Sequence, residues 1–134
     1  MADRSKLLFV VEDDANVLLM TSLILKRLGY EVRVFSTGED ALDALGVLLP
    51  RSVLCDFNLP GIDGLEVLKR VQQQAPEVDR VMVTGNTSAP EVQAGLDAGT
   101  VQVVLEKPFS IKSLCHSLYL VERGTTGRIF RYKH

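Results

Sequence analysis

The run VLCDFNLPGIDG, from Val53 to Gly64, stays apolar until it delivers Asp56 and then breaks into a Pro-Gly turn. A carboxylate at the tip of a segment that otherwise reads as a buried strand needs partners, and three other runs supply them. FVVEDD ends in Glu12, Asp13 and Asp14, VMVTGN carries Thr84 and Gly85, and LEKPF carries Glu106 and Lys107. In an open parallel α/β sheet such strand ends share one edge, where loops and helix N-termini converge and ligands gather. Carboxylates brought together there raise one another's pKa unless a cation is shared among them. Oxygen ligands from one or two carboxylates plus waters describe Mg2+, which takes phosphate as a further ligand. An opposing lysine and hydroxyl then neutralise and hydrogen-bond the outer oxygens of a phosphoryl group placed on Asp56. In that setting Asp56 is a nucleophile, and the small Gly85 leaves room for the group.

The elements that must hold these groups alternate along the chain. LLFVV, VRVF, SVLCD, DRVMVTG and VQVVLE read as strands, separated by stretches with helical spacing, and that alternation predicts a parallel sheet covered on both faces. Val17, Met20, Ile24 and Leu28 recur at intervals of three and four, predicting one buried face of a first helix that Gly29 ends. Ser36 followed by Glu39 is a capping-box pattern for a second helix burying Ala41, Leu42 and Leu45 and ending near Pro50. A third helix lies around Leu65 to Gln74, and Ser88 with Glu91 opens a short fourth, with Pro90 tolerated in its first turn. Ser110 caps a last helix whose Ile111, Leu114, Leu118 and Val121 share a face.

The 134 residues fit one domain large enough to bury a core without metal or disulfide staples. Fifteen Lys and Arg against 17 Asp and Glu give a net charge of −2, which leaves no global basic footprint for nucleic acid or an anionic membrane. Cys55 and Cys115 are far apart, and Cys55 sits in an apolar run as a small buried hydrophobe. The apolar stretch near the N-terminus is too short for a signal-peptide core, and no run approaches a membrane span, so a cytoplasmic location is expected. From Gly124 the composition changes to GTTGRIFRYKH, basic and free of acid. It reads as a flexible or docking tail, residues 124–134, after a domain of residues 1–123.

FVVEDD, VLCDFNLPGIDG, VMVTGN and LEKPF, in that order and spacing, resemble the receiver domain of bacterial two-component response regulators, over nearly all of the chain up to about Gly124. Any one run alone is a weak signal, and four at predicted strand ends are a strong one. The resemblance implies a flavodoxin-like, doubly wound, five-stranded parallel sheet with five helices. It implies a signalling module, not an enzyme, in which Asp56 accepts a phosphoryl group from a histidine kinase or histidine phosphotransfer protein in a Mg2+-dependent reaction and the domain shifts between inactive and active conformations. Asp13 matches the direct metal ligand, Glu12 the acid acting through water, and the Asn58 main-chain carbonyl a further Mg2+ ligand. Thr84 and Lys107 match the phosphate-sensing hydroxyl and the phosphate-binding amine. No output domain, no direct nucleic-acid contact and no membrane contact are expected of this stretch.

Plainer readings stand beside these. Asp14 directly precedes the first helix and reads first as its N-cap. Thr84 alone is an ordinary strand residue, Lys107 alone a solvated charge, and His116 a surface residue of the last helix. A haloacid-dehalogenase-like phosphohydrolase also uses an Asp nucleophile and Mg2+, but places an acid two residues later, where this chain has Asn58. A flavin-binding relative of the same fold needs a Ser/Thr-rich loop after the first strand, and none is there. Two positions depart from the receiver pattern. Glu12 stands where Asp is more common. Val104 stands where Tyr or Phe is usual, and its short side chain, stiff at χ1, has no ring to swing between poses, so a signal is expected to travel through the loop after Thr84 and the short fourth helix.

Overall fold

The computed structural model describes residues 6–131. Strands and helices alternate as β1 (Leu7–Val11), α1 (Ala15–Arg27), β2 (Glu31–Phe35), α2 (Gly38–Leu45), β3 (Ser52–Asp56), α3 (Gly64–Gln74), β4 (Asp79–Thr84), α4 (Pro90–Asp97), β5 (Val103–Glu106), α5 (Ile111–Glu122) and β6 (Arg128–Phe130). Every pairing is parallel, in the order β2-β1-β3-β4-β5-β6. The central strands are buried on both faces, which is why their sequences run apolar without alternation. Phe9, Val53, Met82 and Val104 pack towards Val67, Leu68 and Val92 of α3 and α4, while Leu8, Leu54, Val81 and Leu105 pack towards Leu25, Leu114 and Leu118 of α1 and α5.

Among the described residues the sheet has six strands, not the five expected from sequence. Gly124 and Gly127 adopt φ of 83° and 82°, conformations that suit glycine, and turn the chain back after α5. The Gly127 N–H bonds to the Gln102 carbonyl at 2.7 Å, and Val103–Leu105 then pair with Arg128–Phe130. A three-residue strand is too short to show a period, so GRIFR reads as a tail until β5 is seen to offer it an open row of backbone donors and acceptors. Tyr132 and Lys133, part of the same basic stretch, lie outside the described residues.

Helix ends follow side-chain chemistry, with two corrections. Asp14 accepts from the Asn16 and Val17 N–H groups, and Ser110 from Ser113 N–H, as expected. Thr37, not Ser36, caps α2 by accepting from Asp40 N–H, and α4 begins after Ala89 with no side-chain cap, its Pro90 at the start. The buried stripe of α1 also differs. Thr21, Ser22 and Leu25 face the sheet, whereas Met20 and Leu28 are exposed. Leu19 and Leu23 are exposed too, so α1 is apolar nearly all round and spacing alone does not select its inner face. On α5, Leu114, Leu118 and Val121 are buried as expected, but Ile111 in the first turn is exposed.

At the amino edge of the sheet the Tyr30 hydroxyl donates to Glu122 Oε2 at 3.0 Å, and Arg51 pairs with Glu122 Oε1 at 3.2 Å. Burial, the negative charge of Glu122 and its hydrogen bond push the Tyr30 pKa up to about 12 from 10.0. Unfolding therefore releases this proton more readily. The contribution of the protonated phenol to stability is complete below pH 10 and is lost as pH rises towards 12. In urea unfolding followed across that range, wild-type protein is expected to lose stability faster than Tyr30→Phe, and parallel curves would show that the phenol is not held by Glu122.

Candidate functional site at the carboxyl edge of the sheet

Strands β1 and β3 are neighbours, and the order reverses between them, so the loops that follow them lead to opposite faces of the sheet and leave a crevice. Glu12, Asp13 and Asp56 meet there. One carboxylate oxygen from each lies within 4.8 Å of the others, with Glu12 and Asp56 buried and Asp13 exposed. The β3–α3 loop is closed tightly beneath Asp56. Phe57 N–H bonds to the Val83 carbonyl and Gly64 N–H to the Phe57 carbonyl, each at 2.9 Å. A Cβ on Gly64 would lie 2.2 Å from the Asp56 carbonyl oxygen, so only glycine fits at the start of α3.

Lys107 extends from the end of β5 across the crevice. Its ammonium donates to Glu12 Oε1 at 2.5 Å and lies 3.2 Å from Asp56 Oδ2. Burial alone would lower the Lys107 pKa, but the hydrogen bond to Glu12 and the charge of Asp56 outweigh it and hold it above the ordinary lysine value. The other Glu12 oxygen accepts the Asp14 N–H at 3.2 Å, which fixes the carboxylate's direction. Thr84 is fully buried at the end of β4, with its hydroxyl accepting the Asn86 N–H at 3.1 Å. Asn58 lies in the loop after Asp56, exposed to solvent. The structure thus brings Glu12, Asp13, Asp56 and Lys107 together and places Thr84 at the end of the adjacent strand.

Sequence spacing does not reveal two contacts. Lys107, expected to face a phosphoryl group, also rests on the two buried carboxylates as their internal counter-ion. Thr87 donates from its hydroxyl to Glu106 Oε2 at 3.2 Å, fastening the loop after β4 to the end of β5. Only the adjacency of β4 and β5, invisible in a linear reading, creates that bond. Cys55, beside Asp56, is inert. Burial first, then the charge of Asp56, pushes its thiol well up, and the S–H points to the Asp56 carbonyl at 3.4 Å. The Lys107–Pro108 bond is cis. Val104 is fully buried between Met82 of β4 and Ile129 of β6.

The three carboxylates suit a hard cation. Their donors are all oxygen, and ligands on opposite sides of Mg2+ lie about 4 Å apart, a spacing that the 4.8 Å cluster approaches.

Strand order 2-1-3-4-5, extended by β6 at the β5 edge, with helices on both faces defines the flavodoxin-like α/β class, and the acidic crevice lies at its switch point. Within that class the chain belongs to the response regulator receiver domain family, whose profile matches residues 8–119. It is 36% identical over 107 residues to the DNA-binding response regulator MtrA of Mycolicibacterium paratuberculosis, a match covering 80% of this chain and 47% of that protein. The CheY-like response regulator receiver domain protein of Methanospirillum hungatei superposes with a TM-score of 0.83 at 28% identity, covering 90% of this chain and 95% of that one. The response regulator DrrB of Thermotoga maritima, an OmpR/PhoB homologue, gives a TM-score of 0.80 at 28% identity over 93% of this chain and 56% of its own. The chain spans about half the length of the curated relatives it matches. Among the described residues no helix is long and apolar enough to cross a membrane.

Proposed function

We propose that Asp56 is the phosphoacceptor of a two-component signalling pathway and takes its phosphoryl group from a phosphohistidine of a kinase or phosphotransfer protein. A carboxylate oxygen of Asp56 attacks phosphorus, the P–N bond breaks, and the imidazole nitrogen leaves with the electron pair. Asp13 and Asp56, with Glu12 through water and the Asn58 carbonyl, are the residues that would hold Mg2+. The bound metal supplies positive charge to the phosphoryl oxygens. Lys107 turns from Glu12 and Asp56 to an outer phosphoryl oxygen, and the Thr84 hydroxyl turns from Asn86 N–H to another. The observation that carries this reading is the ammonium of Lys107 lying 3.2 Å from Asp56 in the same crevice as two further carboxylates.

Mass spectrometry after incubation with acetyl phosphate tests it. One phosphoryl group should add in Mg2+ and none in EDTA, and labelling that ignores EDTA would remove the metal from the scheme. Domain 1–123 is proposed as the switching unit, with residues 124–134 as an appended segment. Because Val104 offers no ring to rotate, the signal is assigned to the loop held by the Thr87–Glu106 bond. DNA binding is named for MtrA as a whole protein, and in this stretch the proposed partners are the phosphodonor and a downstream protein.

Lys107 is a counter-ion in the metal-free protein and a phosphate ligand in the phosphorylated one. Lys107→Ala leaves the buried Glu12 and Asp56 without their ammonium, but the lysine side chain is 25% exposed and water can enter after it, so in EDTA stability should fall by about 1–3 kcal/mol. Mg2+ should restore it, and the metal should bind at least as tightly as in wild type because no ammonium has to be displaced. Calorimetric titration of Mg2+ checks this, and a large loss of affinity would place Lys107 outside the proposed role.

A further inference from the structure

We propose that the groove between α5 and β6 is a docking site for an acidic, extended segment of a protein partner, which adds a strand to the outer edge of β6. Among the described residues β6 pairs only with β5, so it ends the sheet and presents unpaired backbone donors and acceptors on its other side. Beside it lies an open groove of about 450 Å3 whose walls include Lys112, Ser113, His116, Arg128, Phe130 and Arg131. Among the described residues of its lining, three cations thus stand with one carboxylate, Glu106, which already accepts the Thr87 hydroxyl.

The wall is organised. The His116 and Phe130 rings meet edge to face at 5.1 Å, and the Arg128 guanidinium lies over the Phe130 ring at 5.4 Å. Charge and backbone chemistry together select the occupant. A second copy pairing edge to edge would set Arg128 and Arg131 of one molecule against those of the other, a like-charge contact that disfavours self-association. A nucleic-acid backbone satisfies the cations but offers phosphate acceptors only, leaving the β6 carbonyls without donors. An acidic peptide in extended conformation satisfies both, pairing its backbone along β6 and its carboxylates with Lys112, Arg128 and Arg131. The opposite edge of the sheet, β2, carries Glu31 and Arg33 and has no such bias. The groove begins at Glu106 and Pro108, on either side of Lys107, so its occupant would lie next to the acidic crevice.

The probe is a fluorescent octapeptide of alternating glutamate and valine, titrated against the full chain by anisotropy and followed by amide NMR. Saturable binding is expected, with contacts from peptide amides to Arg128–Phe130. Affinity should fall at least about tenfold in the double variant Arg128→Glu/Arg131→Glu, and the same peptide N-methylated along its backbone should fail to bind. Both arginines are exposed, so the variant should fold, and Arg128→Gln/Arg131→Gln repeats the test with a gentler change. Equal binding by the N-methylated peptide would reduce the groove to a nonspecific cationic patch and overturn strand addition. Tighter binding of a short DNA duplex, unchanged affinity in both variants, or no peptide binding at all would each overturn the proposal. None of these outcomes depends on phosphorylation of Asp56.

Discussion

Asp56→Asn protein incubated with acetyl phosphate and Mg2+ will keep its unmodified mass under conditions in which wild type gains one phosphoryl group. The substitution preserves the volume and planarity of the side chain but removes the nucleophile, because an amide oxygen is a poor one and its nitrogen lone pair is delocalised. It also removes the negative charge from one of the three side chains whose oxygens converge within 4.8 Å, so Mg2+ affinity should fall as well. Folding should survive. Lys107 retains its bond to Glu12, and the loop closure through Phe57 and Gly64 uses backbone atoms alone. Loss of labelling with an unchanged melting profile therefore assigns the chemistry to this side chain, whereas an adduct at wild-type yield would assign it elsewhere.

Arg80→Met will destabilise the fold more than either Lys107→Ala or Asp56→Asn, although it lies at the opposite edge of the sheet from any chemistry. Arg80 is 5% exposed. Its Nε donates to the Thr100 carbonyl at 2.9 Å, one terminal nitrogen to Pro76 and Val78 at 3.1 and 2.8 Å, and the other to Gly99 at 3.2 Å. Burial lowers the Arg80 pKa and the adjacent Asp79 opposes that shift, yet a guanidinium remains charged at any physiological pH. One fork thus stitches the end of α3 to the connection between α4 and β5. Methionine fills much of the volume but removes the donors of the Thr100, Pro76 and Val78 carbonyls, Gly99 alone keeping the Gln72 amide at 3.3 Å, at about 1–3 kcal/mol for each that water cannot reach. A total loss of about 3–5 kcal/mol is a large fraction of the roughly 5–15 kcal/mol typical of a domain. Urea midpoints measure it. A loss below about 1 kcal/mol would mean that solvent replaces the guanidinium at little cost.

What the linear chain makes legible is whatever repeats locally or ends a strand. β1 and β3 can be delimited because a both-sides-buried strand is a short apolar run with polar ends, and Asp14 and Ser110 are legible as caps because capping is a contact within three residues. The inner face of α1 is not, because apolar residues surround that helix, and the sheet, not the periodicity, selects Thr21, Ser22 and Leu25. β6 escapes a linear reading because its three residues form a strand only when β5 supplies the template. At the site the same division holds. The carboxylates and Lys107 can be assigned to one edge from strand ends, but the ammonium resting on Glu12 and the Thr87–Glu106 bond join residues 95 and 19 positions apart and exist only in three dimensions.

The direction of β6 settles where the backbone goes next. After α5 the chain stands at the amino edge of the sheet, and a parallel sixth strand carries it back across, so that Phe130 sits level with Leu105 and Arg131 comes next, lining the same groove as Glu106. Three strand spacings separate β6 from β3, about 14 Å in all. A spin label or fluorophore attached through Arg131→Cys would therefore ride within sensing distance of Asp56 and report on its chemical state.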